Sequence, residues 1–165
     1  MKYIILISAF LIAQINLSGQ CKYLIDKKDD FTGQSIVVTW VKMNQYLTLK
    51  PSLNNQKLLL GLIHINNVLV TRNLRIGMND SLSIKFIDGS VISLYPEKEI
   101  IESIVINIPV FDLNYILPDA ALDRLATTAV AKIRVLAEGN NLDHDIKPAA
   151  AIKLMNAAAC LKQKL

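Results

Sequence analysis

The chain has 165 residues, of which 18 are lysine or arginine and 14 are aspartate or glutamate, so its formal net charge is +4. The positive residues are scattered, with no run longer than Lys27–Lys28. Because nucleic-acid binding needs a clustered basic face, the sequence predicts no nucleic-acid partner. No low-complexity tract, internal repeat or Gly/Ser/Pro-rich linker divides the chain, which favours a single domain.

Residues 1–19 have the layout of a secretory signal peptide. Lys2 provides a positive start, residues 3–13 form an almost unbroken apolar run, and the small residues Ser18 and Gly19 follow. A membrane-spanning helix needs ~20 apolar residues, so this run is too short to act as an anchor. We predict cleavage near Gly19, which leaves residues 20–165 as a single α+β domain without a transmembrane segment, secreted or periplasmic.

Lipid attachment at Cys21 is the alternative to a soluble mature protein. Leu17 is bulky for its place near the predicted cleavage site, which makes that site imperfect. Bacterial lipoproteins usually carry a small residue directly before the modified cysteine, and here that residue is Gln20. Lipid would convert a soluble protein into an anchored one, and the sequence favours the soluble form.

The two cysteines of the sequence, Cys21 and Cys160, favour one disulfide in an exported chain. Residues 148–165 have the pattern of a helix, with Pro148 suited to its first turn. At 3.6 residues per turn Cys160 lies opposite the apolar face, where another segment of chain can cross it. We therefore predict a Cys21–Cys160 bridge, the alternative being two free thiols.

The middle of the chain is rich in Ile, Val, Leu and Thr and is broken by turn residues, which predicts strands. An irregular lead-in over residues 22–34 precedes them, with a turn at 29–33 that carries one aromatic anchor, Phe31. Asp88–Gly89 predicts a hairpin, and Pro96 and Pro109 end segments. The predicted strands are Ser35–Met43, Tyr46–Lys50, Lys57–Ile65, Val68–Arg72, Leu82–Ile87, Val91–Tyr95 and Ser103–Ile108.

The last third predicts a short helix, a hairpin and a second helix. The short helix covers residues 118–126, and strands at 131–137 and 141–147 are joined by a turn at Gly139–Asn140. The helix over residues 148–165 closes the domain. The expected fold class is α+β, a mostly antiparallel β-sheet with a short helix, a β-hairpin and a C-terminal helix.

Several short motifs accompany this order of elements. They are the early Cys21, the turn Asp30–Phe31–Thr32–Gly33, the hairpin Phe86–Ile87–Asp88–Gly89–Ser90, the pair Lys132–Ile133–Arg134–Val135 and Asp145–Ile146–Lys147, and a helix ending near Cys160. In these features the chain resembles small uncharacterised secreted proteins of Bacteroidetes-type bacteria. The resemblance implies export and one compact domain, and it brings no activity, cofactor or catalytic residue.

The sequence contains no nucleophile elbow, phosphate loop, His-Glu-x-x-His or Cys-x-x-Cys motif. Carboxylates are available for acid/base chemistry, but they lie near a predicted helix start, where capping is their commoner role. These carboxylates are Asp112, Asp119 and Asp123. His64 is better explained as a structural histidine than as a ligand, and Asp29–Asp30 as a polar turn than as a calcium site. Trp40 and Tyr46, the candidates for sugar stacking, are better explained as ordinary large side chains.

Asp143, His144 and Asp145 suggest a row of metal ligands, but successive side chains of a strand point to opposite faces. His144 should therefore lie on the apolar side and both aspartates on the wet side. The predicted turn places Val135 opposite His144 and Arg134 opposite Asp145, as an exposed ion pair. The sequence thus predicts no metal, catalytic or cofactor site here.

These observations favour an exported, disulfide-linked, non-enzymatic domain that binds a partner, an unknown protein or envelope component, or supports the cell envelope. The alternative is a small cell-envelope hydrolase that uses carboxylates in a cleft. An enzyme should show a cleft with converging titratable groups. A binding module should show an apolar patch or an open sheet edge.

Overall fold

The computed structural model describes residues 21–43, 47–54, 57–65, 75–101, 103–105, 108–137 and 139–165. The α+β fold class is confirmed, because most of the described chain lies in antiparallel strands and two helices complete it. The strands of the first half are β1 Ile25–Lys28, β2 Ser35–Val38, β3 Val41–Lys42, β4 Leu47–Asn54, β5 Lys57–Ile65, β6 Arg75–Ile76, β7 Leu82–Phe86 and β8 Val91–Leu94. They are followed by β9 Ile100–Ile101, β10 Ser103–Val105, β11 Ile108–Ile116, α1 Asp119–Thr127, β12 Val130–Ala137, β13 Asn140–Asp145 and α2 Pro148–Lys162.

A seven-stranded antiparallel sheet has the strand order β1-β2-β4-β5-β11-β10, with β3 beside β4. Strand β5 has the predicted bounds and lies between β4 and β11. Its residues Leu58, Leu59 and Leu60 are all buried, as expected for a strand covered on both faces. The predicted strand Val68–Arg72 lies outside the described residues.

The predicted strand over residues 35–43 is divided into β2 and β3, and β4 continues through Pro51 instead of ending before it. The Pro51 carbonyl accepts a hydrogen bond from the Thr39 amide at 3.0 Å. The nitrogen and the carbonyl of one residue in an antiparallel strand point to the same side, so the Pro51 nitrogen also faces the gap between β2 and β3. Proline is tolerated in a sheet where no ladder hydrogen bond is required of its nitrogen. The division of the neighbouring strand therefore explains how Pro51 fits inside β4.

The sequence-based prediction missed β11, because Pro109 was expected to end a strand. Pro109 is instead the second residue of β11, a nine-residue strand that pairs with β10 and β5. Proline near the start of a strand is compatible with the ladder beyond it. Asp112 consequently belongs to this strand and does not lie at a helix start, which corrects that expectation.

The predicted irregular lead-in contains β1, which pairs along β2. Its connecting turn is held by the Asp29 carboxylate, which accepts hydrogen bonds from the amides of Phe31 at 3.0 Å and Thr32 at 2.6 Å. Gly33 has a φ of 69°, a conformation that favours glycine. The expectation that Phe31 anchors this turn is wrong, because its side chain is 98% exposed and the hydrogen bonds to Asp29 hold the turn.

A second antiparallel sheet has the order β13-β12-β7-β8. The predicted hairpin between β7 and β8 is confirmed, and Gly89 in its loop has a φ of 86°. Strand β12 contains a register shift between Val130 and Lys132, which leaves Ala131 as an extra residue relative to β7. The bulge lets Val130 as well as Ile133 enter the core.

The helices complete the core that the two sheets share. In α1, Leu122 and Leu125 are buried. In α2, Leu154 is fully buried and Met155 is half-buried, and the helix packs against α1, β3, β4 and β12. The inner face of the four-stranded sheet packs into the same core, through Leu82, Ile84, Phe86, Leu94, Ile133 and Val135. This arrangement leaves the opposite face of that sheet directed away from the core.

Candidate functional site

The outer face of the four-stranded sheet carries a regular array of polar side chains. Strand pairing places them in two rows that cross all four strands. One row runs Asp145, Lys132, Lys85 and Val91, and the next runs Asp143, Arg134, Ser83 and Ser93. We call these eight residues the outer face of the small sheet. Because side chains alternate along each strand, this face is separated from the apolar face that forms the core.

Arg134 and Asp143 form the most ordered pair on the outer face. The Arg134 Nε donates to Asp143 Oδ1 at 2.6 Å, and the second guanidinium nitrogen donates to Oδ2 at 2.8 Å. These hydrogen bonds hold the pKa of the Asp143 carboxyl below its usual value and raise the pKa of Arg134. Such two-point contacts restrict both side chains, so Arg134 is fixed in place and already neutralised.

The neighbouring row is less well balanced. The Lys132 ammonium lies 3.1 Å from Asp145 and 4.0 Å from Asp143, so it has carboxylates on the β13 side. Lys85 is directly opposite Lys132 in the pairing of β7 with β12. Among the described residues no carboxylate forms an ion pair with Lys85, which is exposed. Lys85 is therefore the uncompensated cation of the outer face.

An open cleft of about 520 Å³ lies over this array. Its walls include Lys85, Lys132, Arg134 and Asp145, together with Ser83 and Val91. The Ser83 and Ser93 hydroxyls lie 3.4 Å apart beside it and can donate or accept hydrogen bonds. The cleft thus offers a cation, hydroxyl groups and a small apolar wall, which suits an anionic group attached to a larger ligand.

The register of the β12–β13 hairpin differs from the prediction. Ala137 pairs with Asn140, so the connecting residues are 138 and 139, with a φ of 77° at Gly139. Ile133 rather than Val135 therefore lies opposite His144, and Arg134 lies opposite Asp143 rather than Asp145. The sequence predicts the turn at Gly139–Asn140, which is one residue too late, because Gly139 is the second residue of the loop and not the first.

The predicted alternation of faces around His144 is found. Asp143 and Asp145 are exposed on the outer face, whereas His144 is half-buried between Leu142 and Ile146 on the other side. Burial lowers the pKa of His144, and the charge of Asp143 partly opposes that shift. The three side chains consequently do not converge. No group of three His, Cys, Asp or Glu side chains placed to hold a metal occurs in the described ranges.

The other carboxylates that were named from the sequence and whose side chains the structure describes do not meet in a common cleft. Asp119 is the first residue of α1, in the position expected for a carboxylate near a helix N-terminus. Asp123 pairs with Lys162 of α2 at 2.7 Å. Asp29 organises its own turn, and Trp40 is half-exposed beside the division between β2 and β3. The side chains of Asp112, His64 and Tyr46 lie outside the described part of the structure.

The Cys21–Cys160 disulfide is present, with a Cα–Cα distance of 5.5 Å, and it fastens the start of the described chain to the last turns of α2. The Tyr23 hydroxyl donates to the Cys160 carbonyl at 3.0 Å. The Lys164 ammonium lies 2.7 Å from Asp26 and 5.0 Å from the centre of the Tyr23 ring. The covalent link is thus accompanied by polar and cation–π contacts at the C-terminal end of the helix.

The sequence does not reveal that Lys85 lies opposite Lys132. The alternation of residues 81–86 places Lys85 on the wet face, but its lysine neighbour becomes visible only with the pairing of β7 and β12. Comparison with protein-family models, curated proteins and solved structures found no match. None of the helices described for this chain is long and apolar enough to cross a membrane.

Proposed function

We propose that this chain is an exported, disulfide-linked binding module, not an enzyme, and that it holds an acidic ligand on the outer face of the small sheet. Export is supported by the leader-like residues 1–19 and by the disulfide, since such bonds persist in oxidising compartments. A role in the envelope or outside the cell follows from export.

The observation that carries the proposal is the position of Lys85. It lies opposite Lys132 in an open cleft, and among the described residues it has no carboxylate of its own. Like charges directly opposite each other destabilise a sheet, so this arrangement has a cost that an acidic ligand would relieve. The ligand's carboxylate, sulfate or phosphate group would lie between Lys85 and the serine hydroxyls.

The state of the carboxylates favours binding over hydrolysis. Asp143 is held ionised by Arg134, and Asp145 lies beside the Lys132 ammonium. A general acid needs a carboxyl group whose pKa is raised towards neutrality, and the pKa of Asp143 is shifted in the opposite direction. The hydrolase alternative would require a carboxyl group whose pKa is raised towards neutrality.

Retention on immobilised poly-L-glutamate and on heparin, eluted with a salt gradient, tests the proposal. These two probes present carboxylates and sulfates respectively. Lys85→Glu should elute at clearly lower salt than Lys153→Glu, which makes the same change in net charge on the exposed side of α2. If the two variants elute together from both probes, retention reflects net charge alone and the proposed site is wrong.

A further inference from the structure

The edge strands of the described structure differ in how they are protected. Charged side chains on an edge strand discourage pairing with another chain. Strand β1 carries Asp26, Lys27 and Lys28, and β13 carries Asp143 and Asp145. Strand β8, the other edge of the small sheet, has the sequence Val-Ile-Ser-Leu and no charge. Of the edge strands whose side chains the structure describes, β8 is therefore the one without this protection.

The backbone of β8 has hydrogen-bonding groups directed away from β7. The Phe86 amide donates to the Ser90 carbonyl at 2.9 Å, which makes Phe86 and Ser90 a hydrogen-bonded pair. Hydrogen-bonded and non-hydrogen-bonded pairs alternate in an antiparallel ladder, so Val91 and Ser93 point their N–H and C=O groups outward. Beyond them the Tyr95 carbonyl is already occupied by the Ile116 amide at 3.0 Å. Within the described part of the chain, the unpaired edge therefore extends from Val91 to Ser93.

The side chains along this edge specify what an added strand would carry. Val91 and Ser93 are exposed on the outer face, the face that also presents Lys85, whereas Ile92 is half-buried against the core. Neighbouring strands lie about 4.8 Å apart, so a strand added to β8 would run about 10 Å from β7. Lysine and glutamate side chains together can span that distance. An added strand would thus match this surface best with acidic residues outward and apolar residues inward.

We infer that the acidic ligand is an extended peptide segment of alternating acidic and apolar residues, which adds to β8 as an edge strand. Its backbone bonds Val91 and Ser93, its acidic side chains face Lys85, and its apolar side chains lie beside Ile92. This mode of recognition takes affinity from main-chain hydrogen bonds and specificity from alternate side chains. The inference rests on the proposed function, because it specifies the ligand of the same face.

Fluorescence anisotropy with a labelled octapeptide of alternating glutamate and valine tests this inference. Two control peptides are used. The first keeps the residue order, but the amides that would face β8 are N-methylated. The second keeps the composition, but four glutamates precede four valines. We expect the alternating peptide to bind at least tenfold more tightly than either control. Equal binding of the three peptides, or no binding of the alternating peptide at millimolar concentration, would overturn strand addition.

Protein variants separate this inference from the proposed function. Ser93→Ala, the control for loss of the hydroxyl that contacts Ser83, should weaken binding less than Ser93→Pro. Ser93→Pro loses the same hydroxyl and also an outward N–H, but no backbone hydrogen bond to β7, and proline is accepted at such edge positions. It should weaken binding at least tenfold, while Asn141→Pro on the opposite edge strand should not. Lys85→Glu should also weaken binding. If Lys85→Glu weakens binding and Ser93→Pro and N-methylation do not, the acidic site stands and strand addition fails. If Lys85→Glu has no effect, the proposed function fails as well.

Discussion

Lys85 and Lys132 are paired residues of the neighbouring strands β7 and β12, so their side chains leave the same face of the sheet side by side. Lys132 is compensated by Asp145 at 3.1 Å. Among the residues that the structure describes, no carboxylate pairs with Lys85. A like-charge pair across two strands lowers the stability of the sheet and attracts anions. This relationship links the fold to the proposed function.

Replacement of Lys85 by methionine should therefore stabilise the protein while weakening its retention on poly-L-glutamate. Removing a directly opposed like charge should raise the free energy of unfolding by about 0.2–1 kcal/mol, as measured by urea denaturation. Lys153→Met, an exposed change on α2, is the control and should alter stability by less than about 0.5 kcal/mol. A Lys85→Met variant that is both less stable and equally retained would contradict the assignment.

Substitutions in α2 test the packing of the helix that closes the core. Leu154 is fully buried and Asn156 is exposed. Leu154→Ala should reduce the free energy of unfolding by about 2–5 kcal/mol, because it leaves a cavity as well as losing apolar contact. Asn156→Ala should have little effect. Equal shifts in thermal melts of the two variants would mean that the helix presents a different face to the core.

The disulfide should make a large contribution to stability because it closes a long loop. Cys21 and Cys160 are separated by 139 residues, for which the chain-entropy model gives about 4–5 kcal/mol. The double variant Cys21→Ser, Cys160→Ser should therefore have a much lower melting temperature. Intact mass after alkylation without reduction should show no modified thiol in the wild type. Two alkylated thiols would contradict the bridge, and a lipid mass on Cys21 would contradict a soluble mature form.

His144 should give the protein a stability step on the acid side of neutrality. Burial holds its pKa in the folded state below the ordinary 6.5, so the unfolded chain binds the proton more readily. The stability tied to neutral His144 is complete above pH 6.5 and is lost as the pH falls through 6.5 towards the lower folded pKa. His144→Leu should flatten urea midpoints between pH 7.5 and pH 5, whereas Asn156→Ala should leave the wild-type dependence unchanged.

The acid step of His144 can be separated from that of the carboxylates. Hydrogen bonds lower the pKa values of Asp29, Asp88 and Asp143 below 3.8, so their contributions are present above that pH and decline below it. The His144 contribution begins to decline at pH 6.5, well above the pH of 3.8 at which the carboxylate contributions begin to decline. A pH 7.5 to 5 dependence that persists in His144→Leu would show that another group controls it.

The local elements with strong periodic patterns were predictable from the sequence. Strand β5, the β7–β8 hairpin and both helices follow from alternation, from Asp88–Gly89 and from the 3.6-residue spacing of apolar positions. Strand β11 was missed because proline at position 109 suggests a strand end, although a proline close to the start of a strand costs little. Strand propensity is a property of a single residue, whereas hydrogen bonding in a sheet depends on which neighbouring strand the backbone of that residue faces.

The candidate site was less accessible to prediction, because it depends on register. Placing the β12–β13 turn one residue late assigned Arg134 to Asp145 instead of Asp143. The pairing of Lys85 with Lys132 joins residues far apart in the chain, and no local pattern specifies it. The array on the outer face emerges when β12 lies between β7 and β13.

Chemical-shift mapping most directly tests whether the outer face of the small sheet is the ligand site. The ¹⁵N-labelled chain of residues 20–165 would be titrated with the alternating glutamate–valine octapeptide at fixed salt. We predict saturable amide shifts centred on Lys85, Val91, Ser93 and Lys132, with small shifts at the α2 residues Lys153 and Asn156. Shifts centred on α2, or no saturable shifts on the small sheet, would contradict the assignment of this face as the binding site.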